Sequence, residues 1–186
     1  IVGGLAGDAL TDADYNVALG YQALSTDSLG SRSVAIGYSA LRDQFFNTAT
    51  DVYNVAVGYQ AGTSVTSGLR NNFVGGFTGD AITTGTDNTA IGHGALTEDD
   101  VGSKSTAVGA DVLANQNYAT STDSHNTAVG FQAGVSVTTG VQNTLMGSGA
   151  GDALTDADQN VAAGYLALTA DTLGSKSTAV CMFTLG

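Results

Sequence analysis

The sequence contains no proline, no tryptophan, one cysteine and only five basic residues among 186. A single cysteine excludes a disulfide scaffold and a zinc site built from cysteines. No apolar run approaches the roughly 18 residues of a membrane-spanning helix. Seventeen acidic residues give the chain a net charge of −12. This charge argues against nucleic acid and anionic membrane surfaces as partners, because both are polyanions.

Residues that favour helices are also scarce. Glu98 is the only glutamate, whereas the chain has 26 glycines and many Thr, Ser, Asn and Asp residues. Such a composition favours short strands joined by many turns. Apolar residues recur along the whole chain, so the composition is not that of a disordered segment. At roughly 150 residues per domain, the length predicts one domain, or two at most.

An internal repeat dominates the sequence and is anchored on the glycine of the motif Asn-(Val/Thr)-Ala-(aliphatic)-Gly. The anchor glycines are Gly3, Gly20, Gly37, Gly58, Gly75, Gly92, Gly109, Gly130, Gly147 and Gly164, and Cys181 occupies the eleventh position. Successive anchors are 17 residues apart, except that four more residues are inserted between Gly37 and Gly58 and between Gly109 and Gly130. The order of spacings recurs after every fourth unit, as from Gly3 to Gly75 and from Gly75 to Gly147. The chain therefore holds about two and a half copies of a four-unit module.

Each position counted from the anchor glycine keeps its chemistry, which predicts its role. The residue four before the anchor is Asn or Ser, and we expect this column to form a ladder that bonds the turn backbone. The aliphatic residue directly before the anchor and the Val or Thr three before it should both face inward. Alanines two before and three after the anchor should leave flat faces of small residues. The anchor and a second glycine seven before it should mark corners with positive φ.

The repeat predicts an all-β fold. Both spacings between anchors are too short for a two-helix repeat, and each fits one coil of a β-solenoid. We expect residues 1–186 to form a single parallel β-solenoid of ten to eleven coils, as a fragment of a longer fibrous protein. The absence of proline agrees, since proline would remove a ladder hydrogen bond in every coil. The longer units should carry their extra residues, within 42–52 and 114–124, as bulges on the same flank.

Two segments carry a resemblance to known families. Ser33–Gly37 and Asn54–Gly58 resemble the head repeats of YadA-type trimeric autotransporter adhesins. The longer phrase Asn54–Gly62, echoed at Asn126–Gly134, also resembles repeats of phage tail-fibre proteins. The resemblance implies a left-handed parallel β-roll that assembles as a homotrimer. It further implies an extracellular fibre, on a bacterial surface or a virion, that attaches to a receptor or glycan of a host or to another surface.

The small core of each coil also predicts a homotrimer with parallel chains. Each coil supplies only two or three large apolar residues, so an isolated solenoid would bury little surface per residue. Three chains side by side would bury the flat alanine faces against one another. The basic residues Arg32, Lys104 and Lys176 recur once in each module, which suits ion pairs between chains better than a nucleic-acid patch.

An enzyme of the tailspike type, which cuts polysaccharide with paired carboxylates, is the alternative function. Asp99 with Asp100, and Asp12 with Asp14, are the candidate pairs. Against this, acids recur at matched positions of the repeat, which is typical of turn chemistry and not of one irregular active site. The matched acids are Asp14 and Asp158, then Asp27, Asp99 and Asp171, then Asp51 and Asp123. His93, His125 and Cys181 form no nucleophile motif, so we expect no catalytic residue.

Clustered acids are the candidate calcium ligands, because calcium prefers carboxylate and carbonyl oxygens. Three acids within seven residues occur twice, as Asp8, Asp12 and Asp14 and as Asp152, Asp156 and Asp158. The intervening copy keeps only Asp80 at a matched position, and the calcium-binding Gly-Gly-x-Gly-x-Asp repeat is absent. We therefore expect no metal and no other cofactor.

Two further columns are candidate binding surfaces. Aromatic residues follow the anchor glycine at Tyr21, Tyr38, Tyr59, Phe131 and Tyr165, with His93 interposed. They are candidates for stacking on a sugar or receptor, although a regularly repeated column favours packing of the scaffold. A row of threonines is the typical surface of an ice-binding solenoid, and such a row occurs at Thr89, Thr106, Thr127, Thr144 and Thr178. Because we expect that row to face inward, ice binding is a minor alternative.

Overall fold

The computed structural model describes residues 1–180, which form an all-β chain without helices. No helix able to cross a membrane therefore occurs in this range. The strands are β1 Val17–Leu19, β2 Gly30–Ser31, β3 Val34–Ile36, β4 Thr50–Asp51, β5 Val55–Val57, β6 Asn72–Val74, β7 Thr89–Ile91, β8 Gly102–Ser103, β9 Thr106–Val108, β10 Thr122–Asp123, β11 Thr127–Val129, β12 Thr144–Met146, β13 Val161–Ala163 and β14 Thr178–Val180. Cys181 lies outside the described residues.

Ten of these strands form one parallel sheet, so the predicted β-solenoid is confirmed. The strand order is β1-β3-β5-β6-β7-β9-β11-β12-β13-β14. Each strand pairs residue for residue with the strand one coil later, as Val17 pairs with Val34 and Val34 with Val55. The register follows the shorter and longer anchor spacings throughout, so residues of one column lie directly above each other.

The columns that the sheet buries are not those that the sequence predicted. Within each strand the middle residue, two before the anchor glycine, is buried; Ala35 and Ala56 are fully covered. The aliphatic column faces outward instead, with Leu19 43% and Ile91 42% exposed. The expectation that the aliphatic and threonine columns face inward, and that the alanine columns lie on the surface, is therefore wrong. The coil interior is narrow, and alanine fits opposite the buried leucines that follow the anchor, such as Leu41 and Leu96.

Where a larger residue replaces the strand alanine, a glycine replaces the opposite leucine. Phe73 lies in the alanine column, and a Cβ at Gly79 would be 2.5 Å from Cε1 of its ring. A Cβ at Gly62 would be 2.8 Å from the other edge of the same ring. Leu145 is placed in the same way between Gly134 and Gly151. Core volume is thus conserved from coil to coil, which explains why large strand residues recur once per module.

The anchor glycines form a corner at which a side chain would overlap the backbone of the neighbouring coil. Gly75 has φ +142°, and a Cβ there would lie 2.5 Å from the carbonyl oxygen of Gly92 in the next coil. The second glycine column also lies at a corner but does not have positive φ, so that part of the prediction is wrong. At Gly85 the requirement is space, because a Cβ would overlap the carbonyl oxygen of Gly102. The left-handed residues of that corner lie two positions later, as at Arg32 and Lys104.

The predicted asparagine ladder is confirmed, and it joins consecutive coils at two points. The Asn71 side-chain oxygen accepts a hydrogen bond from the Asn88 backbone N–H at 3.0 Å. Its amide nitrogen donates to the Gly85 carbonyl at 2.8 Å. Asn88 repeats both bonds with Ser105 and Gly102 in the following coil. These buried carboxamides therefore satisfy one N–H and one C=O each that the turns leave without a strand partner. Asn160, in the last of these coils, makes the bond through its oxygen alone, to the Ser177 N–H.

The two longer coils insert their extra residues at equivalent positions. In the first, the buried Gln44 precedes strand β4, which pairs with β2. In the second, the buried Gln116 precedes β10, which pairs with β8. The insertions therefore lie on the same flank, one module apart, as predicted. They also add to the interior, since Tyr118 is buried and its hydroxyl donates to the Gly140 carbonyl at 2.8 Å.

Neighbouring glycines provide a test of the corner. Gly75→Ala should lower the free energy of unfolding by about 3 kcal/mol or more, because it combines backbone strain with overlap on a carbonyl oxygen. Gly76→Ala is the matched control, since its Cβ would meet no atom closer than 3.7 Å and its φ is ordinary; it should change stability by less than about 1 kcal/mol. Urea denaturation measures both variants, and equal losses would contradict the assignment.

Candidate interaction surface

The outer side of the ten-stranded sheet is the largest candidate surface, and we call it the outer face. It consists of the residues three before and one before each anchor, namely Val17, Leu19, Val34, Ile36, Val55, Val57, Asn72, Val74, Thr89, Ile91, Thr106, Val108, Thr127, Val129, Thr144, Met146, Val161, Ala163, Thr178 and Val180. None of these residues is charged, and all are at least partly exposed. The in-register pairing makes the outer face a regular array of aliphatic side chains and hydroxyls.

Charge is segregated around the outer face. Two columns border it, one five residues before the anchor and one directly after it. The outer face and these columns hold four of the five basic residues and one of the seventeen acidic residues, Asp87. These columns carry a net charge of +3 and the remainder of the chain −15, which together give −12. Asp51 and Asp123 belong to the remainder but reach the first bordering column, because they pair with Arg32 and Lys104. The outer face itself is free of charged residues.

Three of the four basic residues of the first bordering column, Arg32, Arg70 and Lys104, are paired within the chain. Arg32 lies between the rings of Tyr15 and Tyr53, at 5.0 and 5.7 Å from their centroids, and its Nε is 2.7 Å from Asp51.

Lys104 pairs with Asp123 at 2.5 Å. Arg70 donates two hydrogen bonds to Asp87, which hold the pKa of that carboxyl below its usual range. Arg32 and Lys104, which we expected to pair between chains, thus have acidic partners in their own chain.

The second bordering column contains a ladder of stacked rings. Tyr21, Tyr38 and Tyr59 stack at centroid distances of 5.6 and 5.1 Å, with interplanar angles of 20° and 10°. Phe77 contacts Tyr59 edge-on at 5.2 Å, and His93 contacts Phe77 at 5.8 Å. The sequence alignment missed Phe77, because it lies one position beyond the column, where Gly76 leaves a gap.

Ring stacking bears on the two interpretations of this column. Tyr38 has a ring against each face, from Tyr21 and Tyr59, and Tyr59 lies between Tyr38 and Phe77. A sugar stacks on a ring face, so the stack favours packing of the scaffold for Tyr38 and Tyr59. Phe131 and Tyr165 share the column but lie beyond Ala110 and on either side of Ser148, so the ladder does not continue to them.

The candidate calcium ligands are engaged in turns. Oδ1 of Asp156 accepts hydrogen bonds from the Thr138 and Thr139 hydroxyls at 2.8 and 3.0 Å. Asp158 accepts the Val141 backbone N–H at 2.8 Å, and Asp152 accepts the Thr169 hydroxyl at 2.6 Å. In the first copy, Asp8, Asp12 and Asp14 are exposed. Within residues 1–180, no three His, Cys, Asp or Glu side chains converge to hold a metal ion.

Asp99, a candidate catalytic acid, is buried in a polar network. It accepts hydrogen bonds from the Gly102 backbone N–H at 2.9 Å and from Nε2 of Gln116 at 2.6 Å. Oε1 of Gln116 in turn accepts from Asn126 at 2.9 Å. Burial raises the pKa of Asp99 above its ordinary value. Asp27 and Gln44 repeat the pair one module earlier, so the carboxyl is a structural acceptor.

The glutamines of this network were not singled out from the sequence, although a signal exists. Gln44 and Gln116 each follow a core leucine by three residues, at Leu41 and Leu113, in the two longer coils alone. Each also has an aspartate at the equivalent position one coil earlier, Asp27 or Asp99. This feature distinguishes them from exposed glutamines such as Gln142 and Gln159.

Comparisons with known proteins found no matching family model, no matching curated protein and no matching solved structure. The likeness to adhesin heads and tail fibres accordingly depends on the repeat motifs, such as Ser33–Gly37 and Asn54–Gly62. The outer face and its bordering columns are the features from which a function is argued.

Two isosteric substitutions can test whether Asp99 acts as the acceptor of the hydrogen bonds in the buried network. Asp99→Asn should lower the free energy of unfolding by about 1–3 kcal/mol, because its NH2 group would face another N–H donor, from Gly102 or Gln116. Glu98→Gln removes the same charge from the exposed neighbouring residue and should change stability by less than about 0.5 kcal/mol. A denaturation midpoint of Asp99→Asn at or above that of the wild type would contradict the network.

Proposed function

We propose that this chain is a structural and adhesive segment of a trimeric extracellular fibre, of the phage tail-fibre or bacterial adhesin kind, that attaches to a host or surface. The observation that carries the proposal is the uncharged outer face, which continues without a break over ten strands of an acidic protein. Such a surface is expected on a protein whose chains associate along their length.

The size of this surface supports association. Three residues in each strand give the outer face a size of roughly 48 Å by 10 Å, or about 480 Å², at about 4.8 Å per strand and 3.3 Å per residue. The largest apolar patch of a monomer measures about 300–600 Å² and is often functional. Three such faces around one axis would form the apolar core of the proposed contact, with the aromatic columns at its exposed rim.

A homotrimer with parallel chains would direct the three outer faces towards a common axis. The alanine columns cannot supply this contact, because they are buried inside each coil. Aliphatic side chains such as Ile36, Val57 and Ile91 would form the contact instead. A contribution of a few tenths of a kcal/mol per pair, as for cross-strand pairs, would recur at each of the ten strands.

The regular repeat supports a structural role over the tailspike alternative. Asp99 is held by Gly102 and Gln116, and its counterpart Asp27 has equivalent partners one module earlier. An acid fixed in a closed turn is not available to protonate a glycosidic oxygen. A rigid rod with equivalent coils is suited to holding a receptor- or glycan-binding end away from the surface that carries it.

Ice binding is a second candidate, and one observation favours it. Thr89, Thr106, Thr127 and Thr144 occupy four consecutive strands and face outward, partly exposed. The sequence analysis disfavoured ice binding because it expected these threonines to face inward, and that expectation is wrong. The threonines belong to the outer face, so trimer formation and ice binding would compete for the same surface.

Assembly can be tested by sedimentation and native mass measurement. The wild type should be a trimer at micromolar concentration, and Ile91→Lys should dissociate it, because it places three charges near the proposed axis. Ser67→Lys adds the same charge at an exposed turn away from the outer face and should remain trimeric.

The alternative outcomes are distinct. A wild type that is monomeric at micromolar concentration contradicts the trimer. If that monomer also produces thermal hysteresis, and Thr127→Lys abolishes it, the outer face is an ice-binding surface. Equal dissociation by Ile91→Lys and Ser67→Lys would show that the contact lies elsewhere.

A further inference from the structure

Three phenol rings are held side by side on the surface of consecutive coils. Tyr21, Tyr38 and Tyr59 have centroids 5.6 and 5.1 Å apart and are between 43% and 50% exposed. The pairing of β1 with β3 and of β3 with β5 maintains this proximity. We call these three residues the tyrosine triad.

We propose that the tyrosine triad is a site of oxidative cross-linking, at which two adjacent rings are joined as dityrosine. The oxidant is hydrogen peroxide acting through a haem peroxidase. Each of two phenols loses one electron and one proton to become a phenoxyl radical. The radicals form a carbon–carbon bond between the positions ortho to the oxygens, and the hydrogens on those carbons move to the oxygens. The peroxide accepts the two electrons and two protons and becomes two molecules of water.

The fold favours this reaction in two ways. Adjacent phenols are tethered to the same sheet, so their coupling is intramolecular and proceeds at a high effective concentration. Their exposed edges admit a diffusing oxidant and leave room for the ring rotation that bond formation needs. The ladder continues into Phe77, which has no hydroxyl and cannot form a phenoxyl radical, so coupling along it is confined to the triad.

Tyr15, Tyr53 and Tyr118 lack this arrangement. Tyr15 and Tyr53 share a column, but the Arg32 guanidinium lies between their rings. Tyr118 is buried, and its hydroxyl is bonded to Gly140. Tyr15 and Tyr53 are therefore matched controls, because they are exposed phenols of the same solenoid without a phenol beside them.

A cross-link within the triad would tie one coil covalently to the next. It would close a loop of one shorter coil between Tyr21 and Tyr38, or of one longer coil between Tyr38 and Tyr59. Such a closure restricts the unfolded chain in the manner of a disulfide. The chain has one cysteine and cannot form an internal disulfide, so oxidised protein should have a higher melting temperature than untreated protein.

The test treats the full chain with a haem peroxidase and limiting hydrogen peroxide. The expected product has dityrosine fluorescence and a denatured single-chain mass lower by two hydrogen atoms. Peptide mapping should join Tyr38 to Tyr21 or Tyr59, with a yield per chain that does not change on dilution. Tyr38→Phe keeps the ring stack but removes the shared phenol, so it should lower the yield at least about tenfold. Tyr15→Phe and Tyr53→Phe should leave the yield unchanged.

Several results would overturn the proposal. These are an unchanged yield in Tyr38→Phe, cross-links that map to Tyr15 or Tyr53, and products that join separate chains and increase with concentration. A wild type that gives no dityrosine, while free tyrosine in the same reaction does, would equally overturn it. The double variant Tyr21→Phe with Tyr59→Phe, which leaves Tyr38 as the one phenol of the triad, must show the same loss as Tyr38→Phe.

Discussion

The narrow interior of the coil is the constraint on which the other features of this solenoid depend. Parallel, in-register strands bring identical positions within one strand spacing of each other, so each coil has room for one small residue opposite one leucine. The ring of Phe73 fits because Gly62 and Gly79, which lie against it, have no side chains. Because consecutive coils are so close, a side chain at an anchor glycine would overlap the next coil. Buried carboxamides such as that of Asn71 join consecutive coils by hydrogen bonds. Sequence regularity is therefore a consequence of packing density.

A narrow interior also determines what the surface presents. Aliphatic residues next to the buried alanines have no space inside and line the outer face, as Leu19 and Ile91 do. The stabilising effect of burying them is available only if something covers that face. This connects the fold to the proposed fibre, in which neighbouring chains provide the cover. The absence of charged residues from the outer face lowers the electrostatic cost of bringing such faces together.

The sequence predicted the solenoid, its register and the asparagine ladder, because each depends on spacing alone. It could not predict which way the strands face, since Val34, Ala35 and Ile36 are all apolar and alternation has no polar side to mark. One signal for the direction was present in the sequence. Where Phe73 stands in place of the strand alanine, Gly79 stands in place of the leucine, whereas the next coil has Ala90 and Leu96 at these positions, so the two columns compensate in volume and share the interior. The ring ladder was found only in part, because one of its rings comes from an adjacent position.

A double-mutant cycle on Phe73 and Gly79 tests the volume constraint most directly. Phe73→Ala should cost about 3–5 kcal/mol through a cavity, and Gly79→Leu about 1–3 kcal/mol or more through overpacking. The double variant reproduces the Ala90 and Leu96 arrangement of the next coil. We predict that it recovers most of the lost stability, with a coupling energy of about 2 kcal/mol or more in urea denaturation. Additive losses would contradict the account, because they would mean that the two side chains do not share one space.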